Sequence, residues 1–178
     1  LHKGIAEGRL SIKDANITAD VKGKVSLNKG LQSANFLANV ERLNPHALGL
    51  TQKYPNAVFS FQTKADFSGN KLSTVRGSID VDHFNMQSPQ DSYSLDRLQL
   101  LAFSQQGART LKMESDFGEV TLTGRFDYST LPQTVANLVG SKLPTLPGLH
   151  WNKQHYNNNF TVSAHITKSD WLNHFFNV

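Results

Sequence analysis

Cysteine is absent from this 178-residue chain. A disulfide framework, a thiol nucleophile, iron–sulfur clusters and thiolate zinc sites are therefore excluded, and the absence of thiols fits an oxidising compartment. Charge is scarce, with Asp, Glu, Lys and Arg at 18%. That argues against a coiled coil or an Ala/Glu/Lys/Leu-rich helical bundle. No apolar run approaches the ~20 residues of a membrane-spanning helix, and no secretory leader opens the chain. Since it starts at Leu1 and ends at Val178 without a stop signal, the expectation is an internal piece of a longer protein. Any anchor or targeting signal then lies outside it. Nucleotide-binding glycine loops are missing as well, as is the G-x-S-x-G elbow of serine hydrolases.

What is abundant is uncharged polarity: 16 Ser, 12 Thr, 15 Asn and 10 Gln. Together with 11 Phe, this is a strand-and-turn composition. The formal net charge of +4 is concentrated at the start, where Lys3, Arg9, Lys13, Lys22, Lys24 and Lys29 outnumber Glu7, Asp14 and Asp20. Lysines at strand spacing read as a solvated face rather than a nucleic-acid patch, so nucleic acid is not an expected partner.

Period-2 alternation is the dominant pattern. Ala57-Phe59-Phe61-Thr63-Ala65-Phe67 alternates with polar neighbours, and so do Val75-Gly77-Ile79-Val81, Leu98-Leu100-Ala102, Leu111-Met113, Val120-Leu122-Gly124-Phe126 and Phe160-Val162-Ala164-Ile166. Each is one apolar row and one polar row, as an antiparallel strand with one wet face requires. Leu10-Ile12, Ile17-Ala19-Val21 and Val25-Leu27 read as shorter strands, split at Asp14-Ala15-Asn16 and at Lys22-Gly23-Lys24. Ala34-Phe36-Ala38-Val40 reads as a strand, though Leu31-Ala34-Leu37 also fits a helical turn. Ser68-Gly69-Asn70-Lys71, Gln106-Gly107-Ala108 and Asp116-Phe117-Gly118-Glu119 supply turns.

Two helices are predicted. Ser129-Thr130-Leu131-Pro132 starts one, with Val135, Leu138, Val139 and Leu143 at helical spacing before Pro144, giving a helix over 131–143. Ser169-Asp170-Trp171-Leu172 starts a short one at the C-terminus. Residues 144–159 are Pro/Gly/Asn-rich and read as a loop.

About nine short strands fit a sandwich or a barrel. Yet Ala57, Ala65, Gly77, Ala102, Gly124 and Ala164 dilute the inward rows. Small residues there permit curvature or leave volume for something else, which makes an open, bent sheet the competing architecture.

The polar residues offer little chemistry. His150 and His155 lie five apart in a loop without an acidic neighbour, short of a metal's ligand set. Asp80 and Asp82 have the spacing of a carboxylate pair, but Arg76 and Ser78 share their row, so a solvated face is the plainer account. Asp116-Phe117-Gly118 is a hairpin turn. No catalytic residue, metal or cofactor is expected. The apolar rows remain, read either as a closed core or as a trough for acyl chains. A sixteen-carbon chain entering water loses roughly 12 kcal/mol, a barrier that a long apolar trough removes.

Arg42-Leu43-Asn44-Pro45-His46-Ala47-Leu48-Gly49-Leu50 resembles a segment of the TamB-like proteins of Bacteroidetes. Gly77-Ser78-Ile79-Asp80-Val81-Asp82 and Ser88-Pro89-Gln90-Asp91-Ser92-Tyr93-Ser94-Leu95-Asp96-Arg97-Leu98 are similar to the same family. So are Ser115-Asp116-Phe117-Gly118 and the stretch from Gly124 through Phe126, Tyr128, Ser129 and Leu131 to Pro132. The resemblance implies a slice of a long periplasmic protein, anchored in the inner membrane, whose repeating β-groove is folded like a taco. It implies phospholipid transport toward the outer membrane, with an Omp85-family partner engaged through regions outside these residues.

The resulting expectation is one mostly-β domain over 1–178. It is a curved antiparallel sheet forming an open apolar groove, without enzymatic activity. Its lining is expected at Phe59, Phe61, Ile79, Val81, Leu98, Leu100, Leu111, Met113, Val120, Leu122, Phe126, Phe160, Val162 and Ile166, in contact with phospholipid acyl chains. An open apolar face also predicts pairing with a second copy when the piece is isolated. Two rival readings are a chaperone-like module pairing its sheet edge with outer-membrane protein strands and a carbohydrate-binding sandwich using Trp151 and Tyr156.

Overall fold

The computed structural model describes residues 4–27, 32–52, 54–69, 75–105, 107–145 and 150–168. Nine strands follow one another: β1 (Ile5–Lys13), β2 (Ile17–Ser26), β3 (Ser33–Leu43), β4 (Val58–Ser68), β5 (Arg76–Gln87), β6 (Ser92–Gln105), β7 (Ala108–Ser115), β8 (Gly118–Arg125) and β9 (Asn159–Ile166). One helix, α1 (Leu131–Lys142), separates β8 from β9. The strands form a single curved antiparallel sheet in sequence order, with β1 and β9 at its edges and no closure between them. Among the described residues no second sheet faces the first, so they do not form a sandwich. The predicted C-terminal helix from Ser169 lies outside the described residues.

The strands run longer than the alternation predicts. Lys22-Gly23-Lys24 does not divide two strands but lies inside β2, where Gly23 pairs with both Gly8 and Phe36. Lysine at alternate positions on a wet face is compatible with a continuous ladder, and Gly23 leaves room for the Phe36 side chain, whose Cβ a methyl group would approach to 3.1 Å. Residues 34–37 are strand, not a helical turn.

Register aligns the apolar rows across the whole sheet. One row runs Gly23, Phe36, Ala65, Ile79, Leu100, Met113, Val120 and Ala164; the next runs Val21, Ala38, Thr63, Val81 and Leu98. The hydrophobic strand residues that are buried, Ala19, Val40, Ala65, Met86 and Leu122, all lie on this face, and no polar or charged side chain is buried among the described residues. Burial in the sheet is therefore concentrated on its apolar side.

Register shifts at Thr18/Ala19, Val40/Leu43 and Ser60/Gln62 line up near one end of β2 to β5. Each extra residue turns the alternation over and sharpens the local bend. In β5 the extra residue is His83, at φ +53°. Beyond it, Phe84 and Met86 face the apolar side, opposite Leu95 and Tyr93 of β6. The β7–β8 hairpin turn braces this end: the Asp116 carboxylate accepts the Asp96 and Arg97 amides at 2.6 and 3.2 Å. The Phe117 carbonyl receives the Thr167 amide at 2.9 Å.

Candidate functional site

The fourteen predicted lining residues share one face. Ile79, Leu100, Met113 and Val120 form one cross-strand row; Leu111, Leu122 and Val162 another; Val81 and Leu98 a third. Phe160 pairs with Gly124, and Ile166 with Gly118. Phe59 pairs with Leu43 and Met86, Phe61 with Val40. Phe126 sits just past β8, buried with Leu122 and Leu131 against Leu111, Tyr128, Val135 and Phe160.

Period-2 reading missed the residues beyond the bulges. Phe84 is the hub of an aromatic cluster with Phe59 at 5.9 Å, Phe61 at 6.5 Å and Tyr93 at 6.5 Å, and Tyr54 packs edge-on against Phe59 at 6.1 Å. Burial raises the Tyr93 phenol above its ordinary range, and the Asp116 charge nearby adds to the rise. The signal that could have found these residues is the break in spacing itself. Apolar positions in β5 jump from Val81 to Phe84, and those in β6 from Leu98 to Leu95.

Helix α1 closes the opposite end of the apolar face. Leu131 is its buried anchor over Leu122 and Phe126, and Phe126 meets Tyr128 and Phe160 edge-on at 5.4 and 6.1 Å. The helix starts through Asp127, whose carbonyl accepts the Leu131 amide at 2.9 Å and whose carboxylate accepts the Ser129 amide and hydroxyl at 2.8 and 2.7 Å. The bonds from Ser129 hold the Asp127 carboxyl below its ordinary value.

Residues 150–158 strap the helix down. Asn137 donates to Asn152 and to the Gln154 carbonyl, and accepts the Asn152 amide. Gln133 donates to Asn137 and to the His150 carbonyl. Asn158 donates to the hydroxyls of Thr130 and Thr134 and accepts the Asp127 amide. Gly140 lets the Trp151 indole lie against the helix, since a Cβ there would meet its Cγ at 2.2 Å. Trp151, His150 and the strap therefore serve the helix. The described residues hold no cluster of three or more His, Asp or Glu suited to a metal ion.

Between these ends an apolar hollow of about 180 Å³ opens on the same face, lined by residues including Phe67, Ile79, Leu100, Leu111 and Tyr128. A larger hollow of about 480 Å³ lies on the polar face, among Arg9, Asp20, Lys22, Asn39, Gln62, Lys64 and Asp82. A twisted sheet is saddle-shaped and is hollow on both sides along different diagonals. The polar face is occupied by mutual pairing. Arg9 and Ser11 meet Asp20, and their hydrogen bonds hold its carboxyl below the ordinary value. Lys112 bridges Glu114 and Glu119. Asp80 receives Gln99 and Arg97, so the Asp80–Asp82 pair belongs to a solvated face.

Comparison with protein families, curated proteins and solved structures finds no match to this chain. The site is therefore read from its own geometry. The chain exposes 12,083 Å², against about 8,600 Å² for a compact monomer of this mass. No side chain above Ala in size reaches full burial among the described residues. The excess is what a one-layer sheet implies.

Proposed function

We propose that this chain is a segment of a lipid conduit that carries phospholipid acyl chains along the apolar face of its sheet. The observation that supports it best is the unclosed nine-stranded sheet, whose apolar face holds the exposed side chains of Leu10, Val25, Val162 and Ile166. At about 4.8 Å per strand, the face extends about 38 Å along the sheet. An acyl chain lying there is removed from water along the side that meets the sheet. Sliding costs little, because the dispersion attraction given up at one row is recovered at the next. The resemblance to TamB-like proteins suggests the setting: the periplasm, between an inner-membrane anchor and an outer-membrane partner outside these residues. Among the described residues no helix is long and apolar enough to cross a membrane.

The test is native mass spectrometry and lipid extraction from the gently purified chain. Phospholipid should co-purify with the wild type and with Leu37→Arg, whose side chain is on the polar face opposite Lys22 and Lys64. It should be lost from Leu100→Arg. Lipid-free wild type, or equal lipid in both variants, overturns the reading. A second reading, a chaperone that pairs with unfolded outer-membrane strands, has one observation in its favour, the free edges of β1 and β9. Backbone crosslinks from β1 to a protein substrate, with none to lipid, would put it first.

A further inference from the structure

Away from the bulged end of the sheet, the strand positions that the register places on the apolar face hold one charged residue among those described: Arg109. It stands at the start of β7, between Ser104 of β6 and Gly124 of β8, two positions before Leu111 on the same side. It is half-buried, and no carboxylate lies within ion-pair distance of it among the described residues. Asp127 is close enough to feel its charge, but the Asp127 carboxylate is taken up by Ser129. Arg109 lies instead over the ring of Tyr128, 5.9 Å from its centroid.

Tyr128 carries the second anomaly. Its hydroxyl is buried and has no hydrogen-bond partner among the described residues, although a buried donor left unmet is costly. The same ring lines the apolar hollow with Phe67, Ile79, Leu100 and Leu111. Among the described residues, a guanidinium with no carboxylate at ion-pair distance and a phenol with no hydrogen-bond partner thus meet beside a cavity of apolar character. The Tyr128 hydroxyl adds nothing to the packing of its ring against Phe126, and a leucine at 109 would continue the row.

We infer that Arg109 and Tyr128 form a headgroup station, in which the phosphate of a phospholipid is held while its acyl chain occupies the adjoining hollow. The inference rests on the acyl-chain reading above and adds polarity to it. The guanidinium supplies charge-assisted donors to the phosphate oxygens, and the phenol, buried before lipid enters, adds one neutral donor when its ring turns toward the phosphate. Gly124, opposite Arg109, places no side chain in the way; its own Cβ would strike the Asn159 carbonyl at 2.3 Å. Lipid is then seated at a defined point by α1 instead of sliding freely everywhere.

Isothermal titration with two short-chain probes tests this: dioctanoyl phosphatidylglycerol, which bears the phosphate, and dioctanoylglycerol, which lacks it. The wild type should bind the phosphate lipid about tenfold more tightly or better. Arg109→Gln should erase that preference while leaving dioctanoylglycerol affinity within about twofold. Arg109→Lys should keep most of it, and Tyr128→Phe should lose a smaller part, about threefold. Equal affinity of the wild type for both probes, or an unchanged preference in Arg109→Gln, overturns the station and leaves the acyl-chain reading standing. Binding of neither probe overturns both.

Discussion

Strands β1 to β3 and strands β7 to β9 carry the same alternation, yet their apolar sides end in different environments. In the first region Leu10 is 57% exposed and Val25 40%. In the second, Leu122 is 6% exposed and Phe126, just past β8, 3%, and only at the β9 edge do Val162 and Ile166 rise to 43%. The difference is not hydrophobicity, since Leu10 is as apolar as Leu122. It is cover. Leu131 and Val135 of α1 pack with Leu122, Phe126 and Phe160, whereas Leu10 and Val25 stay open to solvent. An amphipathic strand sets which side is apolar, but a one-layer sheet cannot bury that side by itself.

The comparison breaks most severely if the covered cluster is emptied. Phe126→Ala should cost about 3–5 kcal/mol, while Leu10→Ala should change stability by less than about 0.5 kcal/mol. Urea unfolding of the two variants checks both. Equal losses would mean that the uncovered region is packed as tightly as the covered one.

Next in size is Gly140→Ala. At an exposed helix position this change gains roughly 1 kcal/mol. Here the added methyl collides with the root of the Trp151 ring, so the expected sign is reversed, a loss of about 1–3 kcal/mol. Tryptophan emission, read in a Trp171→Phe background, should shift to the red as Trp151 leaves the helix.

Asn158→Ala removes the hydrogen bonds to two hydroxyls and the bond to the Asp127 amide, at a cost of about 1–3 kcal/mol. Hydrogen exchange should accelerate across Leu131–Lys142 and stay unchanged in β4 to β6. Faster exchange everywhere would mean that the helix and the sheet are one cooperative unit.

The smallest effect is acid sensitivity at the helix start. The folded Asp127 carboxyl titrates below its ordinary value because of Ser129. Its contribution is therefore present above the unfolded carboxylate pKa of about 3.9 and is lost as pH falls through the lower, folded value. Ser129→Ala should move the Asp127 midpoint, followed by NMR, back toward the ordinary value, with the carboxylates of β1 and β2 unaffected.

How much of this was legible can be argued from particular residues. The rows at 57–67, 98–102 and 160–166 announced strands because amphipathic alternation is a local property. The helix at 131–142 announced itself through Pro132 and apolar spacing. Phe84, Met86, Tyr93 and Leu95 stayed hidden because His83 and its neighbours reverse the alternation, and a bulge is recognised only against the partner strand. Arg109 was illegible as a site residue for a related reason. At the start of β7 it looks like one more surface cation until the register places it in the row of Ser104 and Gly124.

By itself, the sequence determined that the chain is strand-rich, that one side of every strand is apolar, and that a helix interrupts the series before the last strand. Spacing and composition suffice for those because they depend on neighbours along the chain. Only the tertiary structure decided that the nine strands form one layer instead of two. It alone placed α1 over β8 and β9, and it alone left a cation and an unmet hydroxyl beside an apolar hollow. Those depend on which strands meet and in what register, energies spread over residues roughly 10 to 50 positions apart that no local pattern carries.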